Sequence, residues 1–345
     1  MTEFFRETLK EKGWEQFYEF AKNQAIAGWI WDEIQADESL RTQMPKSILK
    51  AWYTLVCKIE EKNKIIDKLC QAVTRRFRQD NIGGIIIKGQ SLCHYYQHPE
   101  HRSPGDIDIW LAPGINTQEG ISANLKKRRE QLIKYIRFIM PETDICYHHA
   151  EFKQINGICI ETHFTPSWLN SPTDNSKLQK YFSRYIVNTF SEKPHDSETT
   201  FNIIFLMLHM FRHLFQEGIS MKQLLDYFYV LQNATSEEKD KAWSTIKHLK
   251  LNKFATALMY VMQILFNLPE TKMLCKPDIT EGKFILKEIM EKDSFANFDK
   301  RNHILNLFTR MSKAASLSRH YPSEAFWETP WRIWHYLWRI KNGYL

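Results

Sequence analysis

Glycine and proline are scarce in this sequence, 12 of each in 345 residues. No Ser/Gly-rich linker, tandem repeat or low-complexity run interrupts it. Those absences exclude a flexible string of modules and predict parts that pack against one another. The cysteines Cys57, Cys70, Cys93, Cys146, Cys159 and Cys275 form no CxxC pair, and the sequence is expected to have no disulfide and no structural zinc. Long apolar runs are missing too. The longest apolar-rich stretch, Phe201 to Phe211, is interrupted by Asn202 and His209 and is too short to span a bilayer. The segment Met1 to Lys10 alternates charged with apolar residues and lacks the continuous apolar core of a signal peptide, so a soluble cytoplasmic protein is expected.

Charge of one sign is not concentrated anywhere. Lys and Arg number 47 against 40 Asp and Glu, a formal charge of +7 that leans toward anionic partners. The densest basic groups, Lys126 to Arg129 and Arg75 to Arg78, sit in helical patterns and read as solvated faces. Without a long basic stretch, nucleic acid is the least favoured partner.

What the chain does have is core-forming material, 43% hydrophobic and 14% aromatic residues. The first eighty residues read as helix, with Trp52, Leu55, Ile59, Ile66, Leu69 and Val73 recurring at helical spacing between Ser47 and Gln79. Asn81 to Gly84 stops that run. Ile85 to Lys88 suits a short buried strand, followed by Gly89 and a helical-looking Gln90 to Tyr96. A loop to Gly105 leads into a strand from Asp106 to Leu111, and an amphipathic helix fits Gln118 to Phe138. Beyond Pro141, Asp144–Ile155 and Ile158–Phe164 read as a hairpin closed by Asn156-Gly157, a strong two-residue turn signal. From Ser197 onward nearly everything is helix-patterned. The expected fold class is α+β: an N-terminal helical segment (1–49), a small mixed-sheet core (50–170), and a helical domain (171–345) forming the other wall of a cleft.

The chemistry concentrates between Arg102 and Leu111. On a strand, Asp106 and Asp108 point the same way while Ile107 and Ile109 point toward a core. Side-by-side carboxylates repel unless a cation neutralises them, and oxygen-preferring Mg2+ (or Mn2+) suits them. A bare D-x-D is equally consistent with a solvated pair, so its context matters. The second hairpin strand carries an isolated acid, Glu161, as the expected third ligand. Unbulged pairing from the Asn156-Gly157 turn sets Phe152 opposite Glu161 and Ala150 opposite His163. It places Cys159, Glu161, His163 and His148 on one face and His149 on the other, an assignment that a bulge reverses. Upstream, Lys88, Gly89 and Ser91 form a strand–glycine–helix junction suited to triphosphate oxygens. Arg102 is a candidate phosphate clamp, and Gly105 would let a phosphate chain come close.

Together these residues resemble the nucleotidyltransferase fold of the DNA polymerase beta superfamily. The resemblance is closer to an uncharacterised bacterial nucleotidyltransferase family, through Lys88-Gly89 with Leu92, the segment Arg102 to Asp108, and Glu161-Thr162-His163. The helical segment Leu208 to His213, with Glu217-Gly218 and Leu224 to Asp226, resembles the same branch, so the likeness covers roughly residues 50 to 235. It departs at the long Gly89-to-Asp106 spacing, at Gln90, and at Lys222-Gln223. The resemblance implies transfer of a nucleoside monophosphate from an NTP to an acceptor hydroxyl, with release of pyrophosphate. It makes Asp106, Asp108 and Glu161 the metal-holding catalytic acids. His163, His148, His209 and Asp226 are candidates to line the cleft, with helix packing the alternative for His209 and a structural ion pair the favoured reading of Asp226. A small-molecule acceptor is the leading expectation. Nucleotidylation of a protein side chain and a catalytically silent nucleotide-binding module are the alternatives. The His209/His213 pair lacks the acid of an HExxH zinc motif. The Trp331, Trp334 and Trp338 tail is expected to pack on its own protein rather than on a membrane surface.

Overall fold

The structure is a computed structural model and describes residues 1–116, 124–191, 196–290 and 312–344. In chain order, helices α1 (Glu3–Asn23), α2 (Ala27–Gln35), α3 (Glu38–Gln43) and α4 (Lys46–Gln79) precede strands β1 (Ile82–Ile86) and β2 (Ile107–Pro113). Helix α5 (Leu125–Ile139) and strands β3 (Asp144–Ile145), β4 (His149–Ile155) and β5 (Ile158–His163) follow. Then come α6 (Pro172–Phe190), α7 (Glu198–Phe215), α8 (Met221–Asn233), α9 (Ser236–His248), α10 (Asn252–Phe266), α11 (Ile279–Met290) and α12 (Pro322–Lys341). The fold is α+β, as expected, with a small mixed sheet among helices. No helix among the described residues is long and apolar enough to cross a membrane.

Two compact units interleave along the chain. The first comprises Met1–Asp67, Gln90–Pro104 and Glu217–Ala296 and is helical. Its core joins Phe5 and Trp29 to Phe266, which also meets Phe228. Reciprocal capping boxes, Ser220 with Gln223 and Thr235 with Glu238, start α8 and α9 by satisfying backbone N–H groups that a helix start leaves unpaired.

The second unit comprises Lys68–Gly89, Gly105–Gln216 and Asn297–Leu345 and contains the sheet, in strand order β1-β2-β5-β4-β3. β2 runs antiparallel to β1 and parallel to β5, and the remaining pairs are antiparallel. Ile107, Ile109, Ile160 and Thr162 are buried along one face, and α5 packs against β2. On the other face Trp110 meets Phe182 of α6 and stacks with Phe201 of α7. β2 is buried throughout, as a central strand between two layers must be.

The elements differ from the sequence reading in several places. β1 begins earlier, at Ile82, and takes in Gly83 and Gly84. At Gly83 an added Cβ would lie 2.4 Å from the Phe190 ring, so the glycine is required by the close approach of the end of α6. We expect Gly83→Ala to cost about 1–3 kcal/mol through overpacking, read from urea unfolding; an unchanged midpoint would contradict this packing. Gly89 to Tyr95 forms a 3-10 turn rather than an α-helix. The first turns of the helix expected from Gln118 fall largely outside the described residues, and α5 begins at Leu125, where the Asn124 side chain caps Lys127 N.

The C-terminal tryptophans pack on their own protein. Trp331, Trp334 and Trp338 of α12 each meet the Tyr147 ring edge to face, at 5.4, 4.9 and 5.5 Å.

Candidate functional site

The parallel pairing of β2 with β5 sets Asp108 directly opposite Glu161 and Trp110 opposite His163. Side chains of paired residues project from the same face, so the two acids stand side by side. Their isoleucine and threonine neighbours anchor the opposite face. β1 adds a third element. Ile87 N donates to the Asp108 carbonyl at 3.1 Å, and the next residue, Lys88, brings Nζ to 3.0 Å from Asp108 Oδ1. From β5, His163 Nε2 lies 2.9 Å from that same oxygen and 3.5 Å from Glu161 Oε2.

Asp108 is 2% exposed, and burial alone would raise its carboxyl. Lys88 and His163 outweigh that and hold it well below the ordinary carboxylate range. Glu161 is likewise lowered against the push of burial, chiefly by His163. The cations respond in kind. Burial would lower Lys88 and His163, but the facing carboxylates raise both. The result is a buried patch in which two carboxylates face the Lys88 ammonium and the His163 ring.

Ligand atoms of Asp108, Glu161 and His163 all lie within 4.8 Å of one another. The two carboxylates are oxygen donors that Mg2+ or Mn2+ accepts, with the His163 ring beside them. His163 Nδ1 is buried with no hydrogen-bond partner. The residues therefore fit a divalent cation, which would take over the neutralising role now held by Lys88 and His163.

Asp106 does not belong to this close group. β2 starts one residue later than expected, at Ile107, and Asp106 is exposed at its entry. Its charge nevertheless raises Lys88. Gly89 adopts φ +67°, and a Cβ there would lie 3.3 Å from the Asp106 carbonyl oxygen, which explains the glycine between Lys88 and the 3-10 turn. Gly105 lies in the coil just before Asp106.

The hairpin register needs correction. Asn156 and Gly157 both have positive φ, 54° and 74°, and close the turn with Ile155 opposite Ile158, as their chemistry requires. A bulge between Phe152 and Ile155 then shifts the pairing to Phe152 with Ile160, Glu151 with Glu161 and His149 with His163. His149, not His148, therefore shares the Glu161 face. The bulge lets Phe152 pair with buried Ile160 and meet Phe77, instead of standing opposite a carboxylate. That apolar mismatch was the available sequence signal. Burial and the charge of His163 depress His149 to about 4, so it sits neutral beside the site. His148 packs at 4.0 Å on Trp168, with its ring 6.4 Å from His163.

His209 and His213, one turn apart on α7, have ring centroids 4.4 Å apart. Burial first, then the positive charge of Lys88, depresses both, His213 to about 3. Both stand as neutral imidazoles within electrostatic reach of Lys88. The neighbouring Arg212 was not singled out by sequence. It bonds Glu324 Oε1 at 2.9 Å and Glu328 Oε2 at 3.5 Å, and lies over the Trp168 ring.

The remaining expected residues, Arg102, Asp226 and Ser91, belong to the first unit. Arg102, expected as a phosphate clamp, is 3% exposed and directs Nε and Nη2 to Asp226 Oδ1 and Oδ2 at 2.7 and 2.8 Å. Tyr96 donates its hydroxyl to the same carboxylate at 2.6 Å. The fork that would have gripped phosphate thus holds a buried carboxylate, and Asp226 is a structural ion-pair partner. The Ser91 hydroxyl is buried with no hydrogen-bond partner.

The sequence model of a protein family described as "Uncharacterised nucleotidyltransferase" matches residues 10–267. No curated protein and no solved structure matches the chain.

Proposed function

We propose, from the premise that this chain belongs to the uncharacterised nucleotidyltransferase family and is therefore a nucleotidyltransferase, that it uses the Asp108–Glu161–His163 patch to transfer a nucleoside monophosphate. The transfer runs from an NTP to a hydroxyl of a small-molecule acceptor and depends on Mg2+ or Mn2+. The observation that carries this reading is the strand register that sets Asp108 against Glu161, with Lys88 and His163 on the same carboxylate.

In the proposed reaction the acceptor oxygen forms a bond to the α-phosphorus as the bond to the bridging oxygen of the β-phosphate breaks. Pyrophosphate leaves and the hydroxyl proton passes to solvent. A divalent cation, when bound, neutralises charge on the phosphates and makes the acceptor hydroxyl easier to deprotonate. Asp108 and Glu161 would hold it, with Asp106 at the acidic edge on the solvent side, while His163 orients both carboxylates. The Lys88 ammonium beside them is the positive charge offered to the triphosphate. Gly89 and Gly105, without side chains, leave the backbone beside Asp106 open to close approach. Neutral His149, His209 and His213 add no charge that would repel a cation.

The test is nucleotide binding to the full chain by thermal shift and calorimetry, using a non-hydrolysable triphosphate with and without Mg2+ or Mn2+. Pyrophosphate release is then followed across a panel of hydroxylated acceptors. Metal-dependent binding that disappears in Glu161→Gln is expected. Equal nucleotide affinity with and without metal, and no pyrophosphate with any acceptor, would instead support a silent binding module.

A further inference from the structure

A second group of ligating side chains lies in the first compact unit. Its geometry begins with Gly28 on α2, where an added Cβ would stand 1.9 Å from the His101 carbonyl oxygen. Only glycine admits so close an approach, so the 3-10 turn Pro99–His101 presses directly on α2. One helical turn on from Gly28, and so on the same face, is Asp32. Helix α4 fastens the turn from another side. Asn63 Nδ2 donates to the carbonyl oxygens of Glu100 and Arg102 at 2.7 and 2.9 Å, fixing the backbone on both sides of His101. Glu60, three residues earlier on α4, places Oε1 3.2 Å from His101 Nε2. The other ring nitrogen, Nδ1, is 2.5 Å from Asp32 Oδ1.

His98, at the entry to the same turn, has its ring centroid 5.5 Å from that of His101. Ligand atoms of Asp32, His98 and His101 all lie within 4.8 Å of one another. These residues, with Tyr96 and Tyr229, line a cavity of about 30 Å³, room for a water-sized species.

We infer that Asp32, His98 and His101 form a binding site for a borderline divalent transition cation of the Zn2+ type, independent of the nucleotidyl-transfer patch. The donor set decides the class of ion. Two imidazole nitrogens and one carboxylate oxygen suit Zn2+, Co2+ or Ni2+, whereas Mg2+ and Ca2+ favour oxygen alone. The outer arrangement agrees. A metal-bound histidine usually gives its second ring N–H to a carboxylate, which fixes the tautomer and makes the ligating nitrogen more basic. Glu60 stands where it would do this for His101. Glu100 supplies a further carboxylate 3.6 Å from His98 Nδ1, so the surroundings are anionic and favour a cation.

The ring between Asp32 and Glu60 is held in place by backbone contacts at Gly28 and Asn63, which spares the site the cost of ordering its central ligand. A divalent cation would take its place among Asp32 and the two imidazoles. Bound there, it would fasten α2 to the Pro99–His101 turn.

The experiment uses the full chain carrying Asp108→Asn and Glu161→Gln, so that the other ligand cluster does not contribute, after removal of metals by chelation. Zn2+ is titrated by calorimetry, bound metal is counted by elemental analysis, and Co2+ is added as a visible-absorbance probe. One equivalent of Zn2+ is expected, with a rise in thermal stability and a Co2+ spectrum showing nitrogen ligation. His98 is about half exposed, with a side-chain value of 46%, so His98→Ala should fold normally and bind far more weakly. Glu60→Gln should weaken binding by about 10- to 100-fold. Failure of the background chain to take up Zn2+, or His98→Ala binding as tightly as its parent, would overturn the site. Neither result would bear on the nucleotidyl-transfer reading.

Discussion

Asp108→Asn should lower the rate of nucleotidyl transfer by about a thousandfold or more in a chain that still folds, with a lower thermal unfolding transition because Lys88 and His163 lose the charge they face. The two halves of that expectation have different causes. The asparagine amide keeps the shape of the carboxylate and an oxygen for Lys88 and His163 to contact, so the buried strand loses little packing. It loses the charge that holds a divalent cation against Glu161, and such a cation supplies several kcal/mol of transition-state stabilisation, each 1.36 kcal/mol being about tenfold in rate. Metal affinity by calorimetry should fall in parallel with kcat. A variant with both Asp106→Asn and Asp108→Asn that retained full transfer would remove these acids from the reaction altogether. A variant that failed to bind metal yet transferred normally would remove only the cation.

The second large effect concerns stability. Arg212→Met should destabilise the unit containing the sheet by about 3–5 kcal/mol, because it strands buried partners rather than merely deleting a contact. Arg212, Glu324 and Glu328 are all nearly inaccessible. Asn170 N also donates to Glu324 at 2.7 Å, and Arg332 reaches Glu328 from one turn along α12. Burial raises Glu324 even with the guanidinium beside it, whereas Glu328 is held low against burial by Arg212 and Arg332. In the variant both carboxyls should titrate above their unfolded values. A group raised on folding contributes stability below its unfolded pKa and loses it as pH rises through the folded value. The destabilisation should therefore be largest near pH 8 and shrink toward pH 5, read as urea midpoints at the two pH values. A loss that did not change with pH would mean that missing packing, not stranded charge, causes it.

These residues also show where sequence reading ends. Asp108 and Glu161 were legible because an isolated acid in an apolar strand has few other uses, and strand alternation fixes which neighbours share its face. The Asn156-Gly157 turn was legible because positive φ at two successive positions is a local demand that those residues meet. The pairing beyond the turn was not. One extra residue in β4 exchanges His148 for His149, and its gain comes from placing Phe152 against Ile160 and Phe77, two partners remote in sequence. Arg102 reads as a loop arginine ahead of an acidic motif, yet its buried partner, Asp226, is more than a hundred residues away. Arg212 gave no signal, since an arginine in a helical pattern carries no mark of the carboxylates it will meet on α12.

By itself the sequence determined the α+β class, the long α4, the hairpin turn, and Asp108, Glu161 and His163 as residues that meet on one face. Each follows from periodicity or from the φ preference of a few adjacent residues. Only the tertiary structure decided which oxygen of the patch each cation approaches, that Asp106 stands at its edge while Asp108 lies at its centre, and that Lys88 holds Asp108. It also decided that Asp32 and His101 meet beside His98. Those outcomes depend on strand order, on one bulge, and on close approach at Gly28, Gly83 and Gly89. These are contacts between segments far apart in the chain, whose energies no local window of sequence contains.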